Sequence, residues 1–476
     1  MKSPFAQTAL MGLLATVASI VAAIFYPWPE TVVESDMIGK QLFEAYDASS
    51  VRSISIIKYE PERNGISRIE LVRNGEKWLI PAQQNYIADN AAQISLVINS
   101  VNGTVLEQRS SGQQDHVEYG VVDPLEYESA TNRSSLGTKI VFADRNNREL
   151  ANLIVGSSPR GEPGQQQKYF VRIPGEPNIY VINIPAQVLT TDFTRWVSPN
   201  LLSLSQDSTP NSVSIHNYRK TKSQLSAADR LTWNYDLLID ARNKKRILKV
   251  PAPSSGELQE IAVTDENTAQ LQQLGNFLGN IVFTNVRKKP AAVAAILSKP
   301  NAEKSAELDS LQDSGFVVLD QRSDTDFGLQ FQSSAGEVSV HTSDGVAISL
   351  LVGEIVESPT PGDLSLNYLV MLYASVDEAA FSNPTPPADS ADPATADKEQ
   401  KAYLRLVEAR TANLKSAVQR ASELNQSYGD WYYVVSEDII NGLRPDLNLQ
   451  APTAAEPAAV EGGSVEAEKT EEPSKD

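Results

Sequence analysis

The sequence predicts an α+β protein: an N-terminal transmembrane helix followed by two tandem copies of an antiparallel-sheet-plus-helix unit, with a helical insertion in the second copy. Three observations lead there. No charged residue occurs from Ser3 to Pro29. Five short segments recur in the same order in the two halves of the chain. Late in the second half, a Pro/Ala-rich stretch and a heptad-spaced run interrupt what otherwise reads as a β-hairpin.

The elements follow in chain order. Residues 1–4 form a stub, and "FAQTALMGLLATVASIVAAIFYPW" is long enough to cross a bilayer, about 20 apolar residues being sufficient. The span is placed at 5–26. A cleavage site at "VAA" is the competing reading, but the apolar run continues into Phe25, Tyr26 and Trp28, an aromatic edge suited to a retained anchor. Lys2 precedes the span, while Glu30, Glu34 and Asp36 follow it. The positive-inside rule therefore puts the N-terminus in the cytoplasm and the rest outside, expected to be the periplasm of a bacterial inner membrane. Residues 27–50 read as a tether with a short helix, "DMIGKQLFEAYDA".

Folded structure is expected from "VRSISIIKY", a strand, followed by the hairpin "RIELVRNGEKWLI" with Asn74-Gly75 as its turn. In "DNAAQISLVINSVNG", Asp89 reads as the helix cap, Ile94, Val97, Ile98 and Val101 as one apolar face, and Gly103 as the stop. A hairpin over "YFVRIPGEPNIYVINIPAQVL" and a short helix around Ala186 to Phe193 close the first copy.

The recurrence is collinear. "ISII" at Ile54 matches "VSIH" at Val213, "WLIPA" at Trp78 matches "LKVPA" at Leu248, and "DNAAQI" lies over "ENTAQL" at Glu266. "NLIVG" ending at Gly156 matches "SLLVG" ending at Gly353, and "YFVRI" at Tyr169 matches "YLVML" at Tyr368. Hence 51–205 is read as the first unit and 206–382 with 429–447 as the second, each with helices on one face of an antiparallel sheet. In the second unit "NYLVMLYASV" finds its hairpin partner only at "WYYVVSEDII". Between them, 383–428 read as a Pro/Ala linker and an inserted helix from about Lys398 to Gln426. That helix carries Leu404, Val407, Thr411, Leu414, Val418 and Ala421 at alternating spacings of three and four, a seam for its own domain or for a partner. Residues 448–476 read as a disordered acidic tail.

Composition narrows the function. A formal net charge of −19 argues against nucleic acid as the main partner, and the absence of cysteine removes disulfides, thiolate catalysis and zinc–thiolate sites. His116, His216 and His341 stand apart, without metal-face spacing. There is no GxSxG elbow and no Walker A pattern. The loop from Gly156 to Gly164, which carries Arg160, has the glycine-rich character of an anion site. Its counterpart keeps the Gly and the Pro-Gly but carries Glu354 and Glu357, so the loop reads as a bend. No catalytic residue, cofactor or metal site is expected.

Trp78 in its strand, Ala88-Asp89 at the helix start, Tyr119, Gly120 and Pro124 in "EYGVVDP", Gly156, Tyr169 and Arg172 together resemble a bacterial family named for a domain of unknown function, number 4340. Val121 replaces the usual Leu. In the second copy Leu248 stands for the Trp, "DSGFVVL" for the Tyr-Gly element and Met371 for Arg172. The resemblance implies a single-pass membrane protein with an extracytoplasmic body, accessory to an ABC-type transport or gliding-associated-like envelope complex. Its partners would be permease or auxiliary subunits, with the motif positions structural; the heptad spacing separately offers Leu404, Val407, Leu414 and Val418 as a partner seam. The alternative is an envelope protein that binds or hydrolyses glycan or peptidoglycan.

Overall fold

The computed structural model describes residues 36–159, 168–202, 208–222, 229–252, 255–264, 271, 274, 277–299, 303–319, 329–357, 365–387 and 393–447. The expected stub and anchor (1–26), the start of the tether, Arg160 with the rest of its loop and the acidic tail lie outside them. Among the described residues no helix is long and apolar enough to cross a membrane. The chain divides into two compact units, Met1–Val197 and Ser198–Asp476.

The first unit contains β1 (Ser53–Glu60), β2 (Gly65–Asn74), β3 (Lys77–Ile80), β4 (Tyr86–Ala88), α1 (Ala91–Ser100), β5 (Glu107–Ser110), β6 (Thr138–Ala143), β7 (Glu149–Val155), β8 (Lys168–Arg172) and β9 (Ile179–Asn183). Its antiparallel sheet has the order β4-β3-β2-β1-β6-β7-β8-β9-β5. Period-two alternation decides the core. Ile54 pairs with Leu71 and Phe142, and Ile56 with Ile69 and Ile140, so one face is an unbroken apolar row. Ile94, Val97 and Ile98 of α1 and its C-cap Val101 are buried, while a smaller cluster of Val121, Ile154, Phe170, Ile179 and Val181 forms elsewhere in the unit.

The second unit contains β10 (Pro210–Lys222), β11 (Asp229–Asp240), β12 (Lys245–Pro251), β13 (Leu258–Ile261), β14 (Asn285–Lys288), α2 (Ala291–Leu297), β15 (Phe316–Val318), β16 (Phe331–Ser333), β17 (Glu337–Thr342), β18 (Val346–Val356), β19 (Asn367–Val376), α3 (Pro393–Tyr428), β20 (Trp431–Ser436) and α4 (Glu437–Leu443). Its large sheet has the order β13-β12-β11-β10-β17-β18-β19-β20-β14. Substituting β1–β5 for β10–β14 and β6–β9 for β17–β20 turns this order into that of the first sheet. β19 and β20 pair antiparallel, and the whole of α3 lies between them in sequence.

Several expectations are corrected. The helix expected over 36–48 does not form, only a 3-10 turn at its end, Ala48–Ser50: Gly39 adopts φ +81°, its N–H bonds to the Val105 carbonyl, and the Leu42 N–H bonds to the Gly103 carbonyl, so this segment spends backbone groups on pairing. The β2–β3 turn is Gly75-Glu76, not Asn74-Gly75. Asn74 still pairs with Lys77, and Gly75 takes the positive φ (+62°) at the first turn position. The cap of α1 is Asn90, whose side chain accepts from the Gln93 N–H, one residue after the expected Asp89. The helix expected at Ala186 to Phe193 is two short 3-10 turns, Ala186–Leu189 and Phe193–Arg195. The compact units meet at 197/198, and beyond that point the Leu201 N–H bonds to the Ile281 carbonyl and Tyr428 Oη to the Leu201 carbonyl. Helices also pack on both faces of the second sheet. Val293 and Leu297 of α2 join Leu351, Leu369 and Met371, whereas Leu424 and Tyr428 of α3 meet Val346 and Ile348, which alternate to the opposite face.

Candidate functional site

Six of the eight motif positions lie close together in the first unit. Gly120, at φ +71°, packs so closely on the start of the β7–β8 connection that a Cβ there would lie 3.2 Å from the Ser157 nitrogen. A Cβ on Gly156 would collide with the Tyr119 carbonyl oxygen and approach Val121 Cγ1 to 2.7 Å. The Tyr119 carbonyl accepts from both the backbone N–H and the Oγ of Ser157, and its ring meets Phe170 edge-on at 4.6 Å. Pro124 opens a 3-10 turn capped by Asp123. Arg172 is buried and donates from Nε to the Val121 carbonyl at 3.0 Å. Burial lowers its pKa, and the carboxylates of Asp123 and Glu126 oppose that shift. Asp123 itself holds Lys139 at 2.6 Å. Tyr169 is half-buried on the same strand as Arg172, and burial raises its phenol pKa.

Trp78 and Asp89 are not part of this knot. Trp78 pairs with Arg73 and Ala88 across β2–β3–β4, with the Arg73 guanidinium 6.0 Å from its ring centroid, and Asp89 is exposed just beyond β4. The motif positions therefore fall at two separate places in the first unit.

The second unit repeats the glycine joint in an apolar form. Gly315, at φ +87°, faces Gly353: a Cβ on Gly315 would lie 3.0 Å from the Gly353 Cα and 2.8 Å from the Glu354 nitrogen. At the position of Arg172 stands Met371, fully buried among Phe316, Leu351, Tyr373 and Tyr432.

Among the described residues no three His, Asp or Glu side chains are grouped so as to hold a metal ion. Pairing nonetheless gives two of the three histidines carboxylates the sequence hides. His216 on β10 lies between Asp236 on β11 and Glu337 on β17, with Nδ1 3.0 Å from Asp236 Oδ1. Burial lowers the His216 pKa, but the Asp236 hydrogen bond and the charges of Glu337 and Asp236 outweigh it and raise it overall. His341 Nδ1 lies 3.1 Å from Asp377 Oδ2, which Arg242 also approaches. Half-exposed Trp233 stands edge-on to His216 at 6.2 Å.

The feature most suited to recognition is α3. It has 36 residues, about 54 Å at 1.5 Å per residue. Its C-terminal half seats on the sheet through buried Ala417, Ala421 and Asn425. From 397 to 416 no side chain is buried, and Leu404 and Leu406 are 48% and 59% exposed. Of the expected seam, Leu404 is exposed, whereas Val407, Leu414 and Val418 are half-buried.

No curated protein and no solved structure matches the chain. The matched family segment starts in β3 of the first unit and ends within the second, so its limits do not follow the compact units. Residues 78–273 match the family model described as Domain of unknown function (DUF4340), and through that segment the chain resembles this family.

Proposed function

We propose that this chain is a non-enzymatic, extracytoplasmic accessory subunit, anchored by residues 5–26 in a bacterial inner membrane, that serves as a scaffold for an ABC-type transport or envelope complex. The observation that carries the reading is α3. A helix inserted into one hairpin spends only its C-terminal half on its own sheet, whereas helices in proteins draw most of their stability from packing an amphipathic face. An arm so placed is suited to a partner. The shared strand order of the two sheets, with the five collinear sequence matches, supports descent of both units from one scaffold, of which the second has been adapted.

Affinity purification of the full chain from native membranes in mild detergent is the test. Recovery with a permease or ATPase is expected; recovery alone across several detergents refutes the reading.

A second reading, glycan binding, draws on Trp233 beside His216, Asp236 and Glu337, an aromatic face next to carboxylates. Retention of the protein on purified peptidoglycan, lost in Trp233→Ala, would favour it.

A further inference from the structure

From the free half of α3 we infer that its seam at Leu404, Val407, Thr411 and Leu414 docks an amphipathic helix of another polypeptide, one flanked by acidic residues. This rests on the reading of the chain as a partner-binding subunit and names the chemistry of the partner.

In heptad terms Leu404, Thr411 and Val418 occupy a, and Val407, Leu414 and Ala421 occupy d. At its C-terminal end this row is already in use: Ala421 is buried, next to buried Ala417 and Asn425. Toward the N-terminus the same face has no fully buried side chain, with Leu404 exposed and Val407 and Leu414 half-buried. Leu406 falls at c, off the seam. An occupant would thus extend, over about two heptads, a contact that the sheet begins.

Charge selects the occupant. The positions flanking the free seam are Lys401, Glu408 and Lys415 at e, and Tyr403 and Arg410 at g, three cations against one anion in a chain of net charge −19. Arg410 Nε is buried without a hydrogen-bond partner, and no ion pair engages Arg405, Arg410 or Lys415 among the described residues. Lys401 meets only Asp397, one turn earlier on the exposed surface. A second copy of α3 would set like charges against these cations: Arg410 against Lys415 in a parallel pair, and lysine against lysine along the e edges in an antiparallel one. Flanking charges of this kind govern partner choice more than affinity. The chain's own acidic segment is a poor substitute, because Pro452, Pro457, Gly462 and Gly463 break any heptad run there.

Two designed three-heptad peptides provide the probe, both with Leu at a and d, one with Glu and the other with Lys at every e and g. Titrated against the full-length protein in detergent, the Glu-flanked peptide is expected to bind at least about tenfold more tightly, with the preference eroding in about 0.5 M salt. Lys401→Glu, Arg410→Glu and Lys415→Glu together should invert the ranking, and Leu404→Asp should abolish binding, with circular dichroism confirming an intact fold. Equal binding of the two peptides, or a ranking that the triple variant leaves unmoved, overturns the inference. So does a detergent-solubilised dimer dissociated by Leu404→Asp.

In native membranes a photo-crosslinking residue at Leu404, but not at Leu406, should yield a heterologous adduct. Co-purification of partners with no adduct at Leu404 or Val407 overturns the seam alone, whereas absence of any partner overturns the scaffold reading.

Discussion

Asn425 pairs its side-chain carboxamide with both backbone groups of Ala374: Nδ2 donates to the carbonyl at 2.8 Å, and Oδ1 accepts from the N–H at 2.7 Å. β20 pairs with β19 only from Asn367 to Val370, so the carboxamide stands in for a neighbouring strand where that pairing has ended. Asn425 is 1% exposed, and its carbonyl accepts from the Gly429 N–H at the end of α3. Asn425→Leu keeps the volume but leaves two buried backbone groups without partners, at about 2–4 kcal/mol. Denaturant unfolding should register that loss, and limited proteolysis should show earlier cleavage within 397–428.

The paired glycines call for a graded series. Gly156→Ala and Gly353→Ala drive a methyl into the carbonyl oxygens of Tyr119 and Ser314 respectively, and backbone cannot yield cheaply. Each should cost about 3 kcal/mol or more. Gly75→Ala and Gly256→Ala have positive φ but open space, so only the backbone conformation is penalised, about 1 kcal/mol. Comparable melting losses in both pairs would remove the packing argument.

Arg172 and Met371 occupy corresponding places with opposite chemistry. Arg172→Met removes one hydrogen bond to Val121 and a cation near Asp123 and Glu126, yet fills much of the volume; a loss of about 1–3 kcal/mol is expected. Met371→Arg places a guanidinium at a fully buried position in an apolar cluster and should prevent the second unit from folding. Soluble yield and thermal unfolding of the two variants check this asymmetry.

Lys289 supplies a pH dependence. Its ammonium is buried, donates to the carbonyls of Tyr428 at 3.2 Å and Trp431 at 2.5 Å, and lies 5.0 Å from the Tyr432 ring centroid. Burial, opposed by the charge of Asp430, lowers its pKa from 10.5 to about 7. Between about 7 and 10.5 the unfolded chain therefore binds more protons than the folded one. Stability should rise with pH across that window, by at most about 1.4 kcal/mol per unit from this group. Lys289→Met should flatten that part of the profile in chemical-denaturation curves collected from pH 6.5 to 10.

Local pattern made much of this protein readable in advance. The β-branched content around Ile54, the apolar face of α1 and the heptad row of α3 are local patterns, which one chain carries without reference to any other part of itself. Single-residue details already escaped it. Asn90 rather than Asp89 caps α1, and Gly75-Glu76 rather than Asn74-Gly75 makes the turn, because one residue of register decides both and neighbouring residues are nearly equivalent in propensity. The segment at 36–48 has helical composition but gives its hydrogen bonds to Gly103 and Val105.

What only the tertiary structure decided is pairing across long separations. Asp236, His216 and Glu337 lie 20 and 121 positions from one another along the chain and become neighbours because β10 runs between β11 and β17. Gly120 meets Gly156, and Gly315 meets Gly353, through loop closure that no local period encodes. The sequence alone determined that α3 has a seam. Which half of that seam is spent on the sheet was set by where Asn425 finds Ala374, since a side-chain amide satisfies a strand edge only at the one register that brings both hydrogen bonds into line.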